Sequence, residues 1–120
     1  MNLLVCWNEL LDRDLALIRE RTGANVMVCE TKEDSWDLVK DAHVIFGFVS
    51  PDVLVNAAKC RWLQVPYAGV ERILAAEWGN SQMVLTNGKG ILGSAIAEHV
   101  VGLLLTFNRG IHVARDFQAK

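Results

Sequence analysis

The feature that most constrains the fold is the alternation of short apolar runs with segments of helical periodicity. The apolar runs predict five strands: residues 2–7, 25–29, 43–49, 62–65 and 83–86. Runs that are apolar throughout are typical of strands covered on both faces, and parallel strands need a crossover helix between them. We therefore predict an α/β fold, a flavodoxin-like five-stranded parallel sheet of order 2-1-3-4-5 with helices on both faces.

The last predicted helix carries apolar side chains in nearly every direction around its axis. It is expected to begin at Ser94, as a capping residue with Glu98 in the first turn, and to continue through Phe107 to Phe117. A helix that is apolar all round needs cover all round. At about 1.5 Å per residue its length is roughly 35–40 Å, against a radius of gyration of about 14 Å for a compact chain of this size. We expect it to pack against a second domain or a partner chain.

Composition argues against several classes of function. The chain has 12 basic and 14 acidic residues, interspersed along it, for a formal net charge of -2. No basic face is predicted, so nucleic acid is not an expected partner. The first residues lack the pattern of a secretory signal, and no apolar run approaches the roughly 20 residues that span a bilayer. We predict a soluble, cytoplasmic protein with no membrane partner.

Thiol and imidazole side chains are few and scattered. They are Cys6, Cys29, Cys60, His43, His99 and His112. Three cysteines without zinc-type spacing indicate buried, reduced thiols, and no metal site is predicted. No carboxylate pair or nucleophilic triad is convincing either, so the sequence assigns no catalytic residue.

Ligands of parallel α/β sheets bind at the carboxyl ends of the strands. The loops expected there are residues 7–9, 48–50, 66–71 and 87–93. The last contains Gly88, Gly90 and Gly93 in the spacing GxGxxG, after a strand and before a helix. A dinucleotide fingerprint also needs a following strand that ends in an acidic residue, and here the chain stays helical. We interpret this loop as a flexible glycine turn.

The loop YAGVE at residues 67–71 lies between a predicted strand and a predicted helix. The backbone N–H groups of Ala68, Gly69 and Val70 are expected to lack partners within the domain, which suits the binding of a carboxylate. A simple tight turn explains the same residues, and residue types alone leave both interpretations open.

With these segments in place, the sequence resembles the N-terminal part of the D-isomer-specific 2-hydroxyacid dehydrogenases. Three segments carry the resemblance: WLQVPYAGVE at residues 62–71, Thr86-Asn87 with Gly90, and AEHV with LLL and Arg109 at residues 97–109. They are similar to the substrate loop, hinge strand and interdomain helix of that family. Glu71 departs from the pattern, since the family more often has Asp there.

The resemblance implies a two-domain oxidoreductase that transfers hydride between NAD or NADP and a small 2-oxo or 2-hydroxy acid. In such an enzyme a Rossmann domain is inserted into the substrate domain. The substrate carboxylate would bind at Ala68 and Gly69, with Tyr67 and Val49 nearby. Asn87 and Ser94 would contact the cofactor only together with the Rossmann domain.

The resemblance also implies a division of the chain. Residues 1–93 correspond to the first part of the substrate domain, and residues 94–120 to an interdomain helix that leads into a Rossmann domain absent here. The family's catalytic Arg, Glu and His fall outside the chain. We therefore expect no cofactor binding and no dehydrogenase activity by these 120 residues alone.

A second hypothesis belongs to a different class of protein. The chain could be a stand-alone flavodoxin-like binding or interaction module. A second copy would then cover the apolar helix, giving a homo-oligomer such as a dimer.

Overall fold

The computed structural model describes residues 1–119 and contains a five-stranded parallel sheet of order β2-β1-β3-β4-β5. The strands are β1 (Asn2–Cys6), β2 (Asn25–Val28), β3 (Val44–Gly47), β4 (Trp62–Gln64) and β5 (Val84–Thr86). The predicted fold class and strand order are confirmed. The strands are shorter than predicted because the last apolar residue of most runs already lies in the loop that follows.

A helix or a 3₁₀ segment lies between each pair of successive strands, as a parallel sheet requires. They are α1 (Asp12–Thr22), α2 (Lys32–Leu38), a 3₁₀ turn at Val39–Asp41, a longer 3₁₀ segment at Pro51–Asn56, and α3 (Glu71–Leu74). Gly23 ends α1 in the left-handed conformation (φ 61°), and its N–H donates to the carbonyl of Arg19. Pro51 begins the 3₁₀ segment, where its missing N–H costs no hydrogen bond.

The sheet is apolar on both faces, as the continuous strand pattern predicts. On one face the fully buried side chains of Leu4, Ile45 and Leu63 pack with Leu54 of the 3₁₀ segment. On the other face, Leu15 of α1 is packed in a smaller cluster beneath the helix. Beside α1, the second face forms an apolar groove of about 490 Å³. Its lining residues are Met1, Leu3, Ile18, Thr22, Val44, Phe46, Trp62 and Gln64.

The chain divides into two compact units, Met1–Gly88 and the residues from Lys89 onward. The second unit contains α4 (Gly93–Asn108) and α5 (Ile111–Gln118). The prediction of one continuous helix to Phe117 is wrong, because Gly110 adopts a left-handed conformation (φ 62°) between the two helices. Its N–H donates to the carbonyl of Phe107, which closes the end of α4.

The predicted start of the last helix is also wrong in detail. The N-cap residue is Leu92, which makes no side-chain capping bond, and Ser94 lies inside the first turn. No acidic residue lies in that turn, so Glu98 does not compensate the helix dipole as expected. With 16 residues, α4 is about 24 Å long.

The large apolar side chains of α4 are exposed. None of its residues is buried. The exposed large apolar residues are Ile96, Val100, Val101, Leu103, Leu104, Leu105 and Phe107. Within the described residues no helix is both long enough and apolar enough to cross a membrane.

Candidate functional site

Three backbone and side-chain hydrogen bonds hold the loop that follows β4. The N–H of Val65 donates to the carbonyl of Thr86 (3.0 Å), and the N–H of Gly88 donates to the carbonyl of Tyr67 (3.0 Å). Asn87 Nδ2 donates to the carbonyl of Ala68 (2.7 Å). Asn87 and Gly88, which follow β5, therefore hold the carbonyl groups of Tyr67 and Ala68 in place.

Three successive backbone N–H groups of this loop, at Ala68, Gly69 and Val70, are candidates for binding a ligand. Ala68 and Gly69 are exposed, and Val70 is half-buried. Among residues 1–119, none of these three N–H groups donates to a backbone carbonyl. Successive N–H donors of this kind form a concavity that suits an anion such as a carboxylate.

The loop borders a cavity of about 400 Å³ at the carboxyl edge of the sheet. Its lining residues are Phe48, Val49, Ser50, Pro51, Tyr67, Gly69, Glu71, Arg72 and Ile73. The structure thus places Tyr67, Gly69 and Val49, three of the predicted substrate-binding residues, around one space. The side chain of Val49 is buried in the core, so it forms part of the wall.

Aromatic packing joins the loops at the ends of β1, β3 and β4. The rings of Phe48 and Tyr67 stack with centroids 5.5 Å apart, and Trp7 meets Phe48 edge-on at 5.6 Å. Among the described residues, the buried Nε1 of Trp7 has no hydrogen-bond partner. The sequence places these loops at one edge of the sheet, but the ring contacts depend on loop conformations that strand patterns do not encode.

Two charged side chains lie at the cavity. Arg72 lines it and was not predicted, although a cationic residue directly after an N–H-rich loop is a signal for anion binding. Burial raises the pKa of Tyr67 above its ordinary value, with Arg72 opposing the shift. Tyr67 is therefore a neutral O–H group at neutral pH, able to donate a hydrogen bond.

Glu71 is the residue that opposes anion binding. A Cβ added to Gly69 would lie 3.1 Å from Glu71 Oε2, so the carboxylate is close to the N–H groups of the loop. A bound carboxylate would meet this like charge at short range. The side chain must therefore move away, or the binding of an anion is weakened.

The two residues predicted to contact a cofactor lie in different units. Asn87 belongs to the first unit, where its amide group is bonded to Ala68. Ser94 is an exposed residue of α4 in the second unit. In the described part of the chain, no group of three or more His, Cys, Asp or Glu side chains is arranged to hold a metal ion.

The glycine turn does not form a dinucleotide-binding unit with the described residues. Gly90 has a positive φ of 88° and an added Cβ there would meet nothing within 4 Å. After the turn the described chain continues as α4 and α5 without a further strand. These residues alone therefore do not fit NAD or NADP in the Rossmann manner.

Fold and site together define a flavodoxin-like α/β domain with an N–H-rich loop at the ligand-binding edge of its sheet. No family model matches the chain, and no curated protein matches it. A solved structure of a D-isomer specific 2-hydroxyacid dehydrogenase family protein from Aeromonas salmonicida is similar, with a TM-score of 0.79 and 27% identity. The match covers 98% of this chain and 39% of that chain.

A protein from Pyrococcus horikoshii shares the fold. Its TM-score is 0.68 at 20% identity, over 98% of this chain and 36% of that chain. The similarity to the Aeromonas protein confirms the resemblance to the D-isomer-specific 2-hydroxyacid dehydrogenases. The chain spans well under half of the length of either solved chain.

Replacement of Asn87 by Ala tests whether its amide group holds the loop. We expect Asn87→Ala to lower the free energy of unfolding by about 0.5–1.5 kcal/mol, because the carbonyl of Ala68 loses its donor. The amide resonances of Ala68 and Gly69 should also shift. Urea unfolding and ¹H–¹⁵N spectra measure both effects. Asn56→Ala, at the end of the 3₁₀ segment, is the control, and unchanged loop resonances in Asn87→Ala would contradict the assigned role.

Proposed function

We propose that this chain is the substrate-domain portion of an oxidoreductase that interconverts 2-oxo acids and D-2-hydroxy acids. The observation that carries the proposal is the loop at residues 67–70. Among the described residues the N–H groups of positions 68–70 donate to no backbone carbonyl, and Tyr67 and Gly69 of this loop line a cavity of about 400 Å³. The resemblance to the Aeromonas family protein supports the reaction class.

In this proposal the chain binds and orients the acid. The carboxylate accepts hydrogen bonds from the N–H groups of Ala68 and Gly69, and Arg72 supplies a positive charge at the cavity. The hydroxyl of Tyr67 and the ring of Phe48 limit the space around the rest of the substrate. Oriented binding of this kind lowers the entropic part of the barrier to hydride transfer.

The remaining chemistry requires groups that these residues do not provide. NAD or NADP supplies or accepts the hydride when bound, and a Rossmann domain is the partner we propose for it. We also propose that the general acid and base lie outside residues 1–120. The chain alone then binds the substrate weakly and does not turn it over.

An activity assay tests this division of labour. The assay mixes the purified chain with NADH or NADPH and with glyoxylate, hydroxypyruvate or pyruvate. The absorbance of the reduced nicotinamide at about 340 nm should fall no faster than in a blank without protein. Proton transfer and oriented hydride delivery each contribute several orders of magnitude to catalysis, so their loss leaves no measurable rate. Turnover above the blank would contradict the proposal.

Titration with oxalate tests the binding site itself. Oxalate resembles a 2-oxo acid, because its second carboxylate takes the place of the carbonyl next to the substrate carboxylate. Its binding should shift the amide resonances of Ala68, Gly69 and Val70 in ¹H–¹⁵N spectra. Glu71→Gln should bind oxalate about three- to fivefold more tightly, because it removes a like charge near the loop. Arg72→Gln should bind it about threefold more weakly.

The control for the titration is Glu20→Gln on α1. It changes the net charge by the same amount as Glu71→Gln at a position outside the cavity lining. Equal effects of the two Glu variants would show that only net charge matters. Shifts that avoid residues 67–70 would contradict the assignment of the loop.

A second candidate function rests on the exposed apolar surface of α4. Val100, Leu104 and Phe107 are 48%, 57% and 67% exposed, and continuous surfaces of this kind promote association. The alternative proposal is an interaction module in which α4 of one copy packs against a second copy. It requires no cofactor and no chemistry at the loop.

Light scattering measures whether α4 mediates association. If the second candidate is correct, the chain should have the mass of a dimer, and the double variant Val101→Glu, Leu104→Glu should have the mass of a monomer. Leu17→Glu is the control, since Leu17 is an equally exposed apolar residue (54%) on α1. A monomeric wild-type chain would contradict this candidate.

A further inference from the structure

Two cysteines meet at the carboxyl edge of the sheet, outside the loop assigned to substrate. Strands β1 and β2 pair in parallel, with Val5 opposite Val28. The N–H of Cys29 donates to the carbonyl of Val5 (2.8 Å), which extends this pairing by one residue. Cys6, at the end of β1, and Cys29, directly after β2, are therefore neighbours at the edge of the sheet.

Their side chains lie on the same face of the sheet. Cys6 belongs to the main core cluster, and Cys29 packs against that cluster. Parallel strands are spaced by about 4.8 Å, which is within the range of about 4.4–6.8 Å between the Cα atoms of disulfide-bonded cysteines. Register, face and spacing thus all permit a bond between the two sulfur atoms.

The environment gives the two thiols different roles. Cys6 is buried, whereas Cys29 is partly exposed, and both line a cavity of about 560 Å³. Burial, with Cys29 adding to the effect, raises the pKa of Cys6 to about 12. Burial and the charge of Asp34 on α2 raise the pKa of Cys29, although its contacts with Cys6 and Thr31 oppose the shift. Glu9 and Glu30 line the same cavity and disfavour a thiolate there.

We propose that Cys6 and Cys29 form a redox-active thiol pair, a modification site that a neutral small-molecule disulfide converts to an intramolecular disulfide bond. The bond joins the end of β1 to the loop after β2. It lies in the wall of the cavity that Trp7 and Phe48 also line, so oxidation changes the shape of that cavity. In the structure all three cysteines are free thiols, so it represents the reduced form.

The reaction is a pair of thiol–disulfide exchanges. The thiolate of Cys29 attacks one sulfur of the small disulfide, forms a mixed disulfide and releases one small thiolate. The thiolate of Cys6 then attacks Cys29 Sγ and releases the second small thiolate. The cysteine pair loses two electrons and two protons, and the small disulfide is reduced to two thiols that take up the protons.

The test is oxidation of the whole chain with 2-hydroxyethyl disulfide, followed by mass spectrometry without reduction. The oxidised protein should lose two hydrogen atoms, and tryptic peptide 1–13 should be linked to peptide 22–32. The rate should rise about tenfold per pH unit between roughly pH 7 and 8.5, because both raised pKa values lie above that range and keep most of the thiols protonated throughout it.

Single substitutions identify the partners. Cys29→Ser should abolish the linked peptides, and Cys60→Ser should form them at a rate within twofold of the wild-type chain. Cys6→Ser should stop at a mixed disulfide on Cys29; if this core variant does not fold, the wild-type peptide map and Cys29→Ser decide the question. A lasting mixed disulfide on wild-type Cys29, or linkage through Cys60 or between chains, would overturn the proposal.

Discussion

The structure depends on one constraint: in a parallel sheet the carboxyl ends of all strands open onto the same edge. The groups assigned to the candidate substrate site follow the carboxyl ends of the strands, including Phe48 after β3 and Tyr67 after β4, and Trp7 follows β1 at the same edge. Aromatic contacts then connect neighbouring loops across the edge, at 5.5 Å between Phe48 and Tyr67. Trp7 and Tyr67 are 60 positions apart in the chain. The strand order alone brings their loops to the same edge of the sheet.

The charges at this edge predict only weak binding of an anion. Free N–H groups and Arg72 attract a carboxylate, whereas Glu71 next to Gly69 repels it. Both charged residues are exposed, so solvent screens each contribution and the net attraction is small. An enzyme that needs tight, oriented binding of a small acid must add further positive charge or exclude water over this loop. We therefore expect this edge to contribute part of a binding site and not a complete one.

The sequence predicts the sheet correctly because strand order and burial follow from local patterns. The run Leu3 to Val5 is apolar at every position, and the structure buries all three residues. The errors fall where single residues compete with a pattern. Gly110 ends α4 despite apolar residues on both sides of it, and Leu92 rather than Ser94 precedes the helix. The bond from Asn87 to Ala68 could not be predicted, because it joins two loops whose conformations depend on the finished sheet.

The break at Gly110 shortens the predicted last helix, but the apolar side chains of α4 still need to pack against another domain or a partner. That need comes from the composition of α4, whose large apolar side chains remain exposed. A helix buries one stripe against a sheet and would leave the others in water. At about 25 cal/mol per Å² of apolar surface, leaving this many large side chains uncovered is a substantial cost. Helix length was thus the weaker argument for a second body, and the exposure of the large apolar residues of α4 is the stronger one.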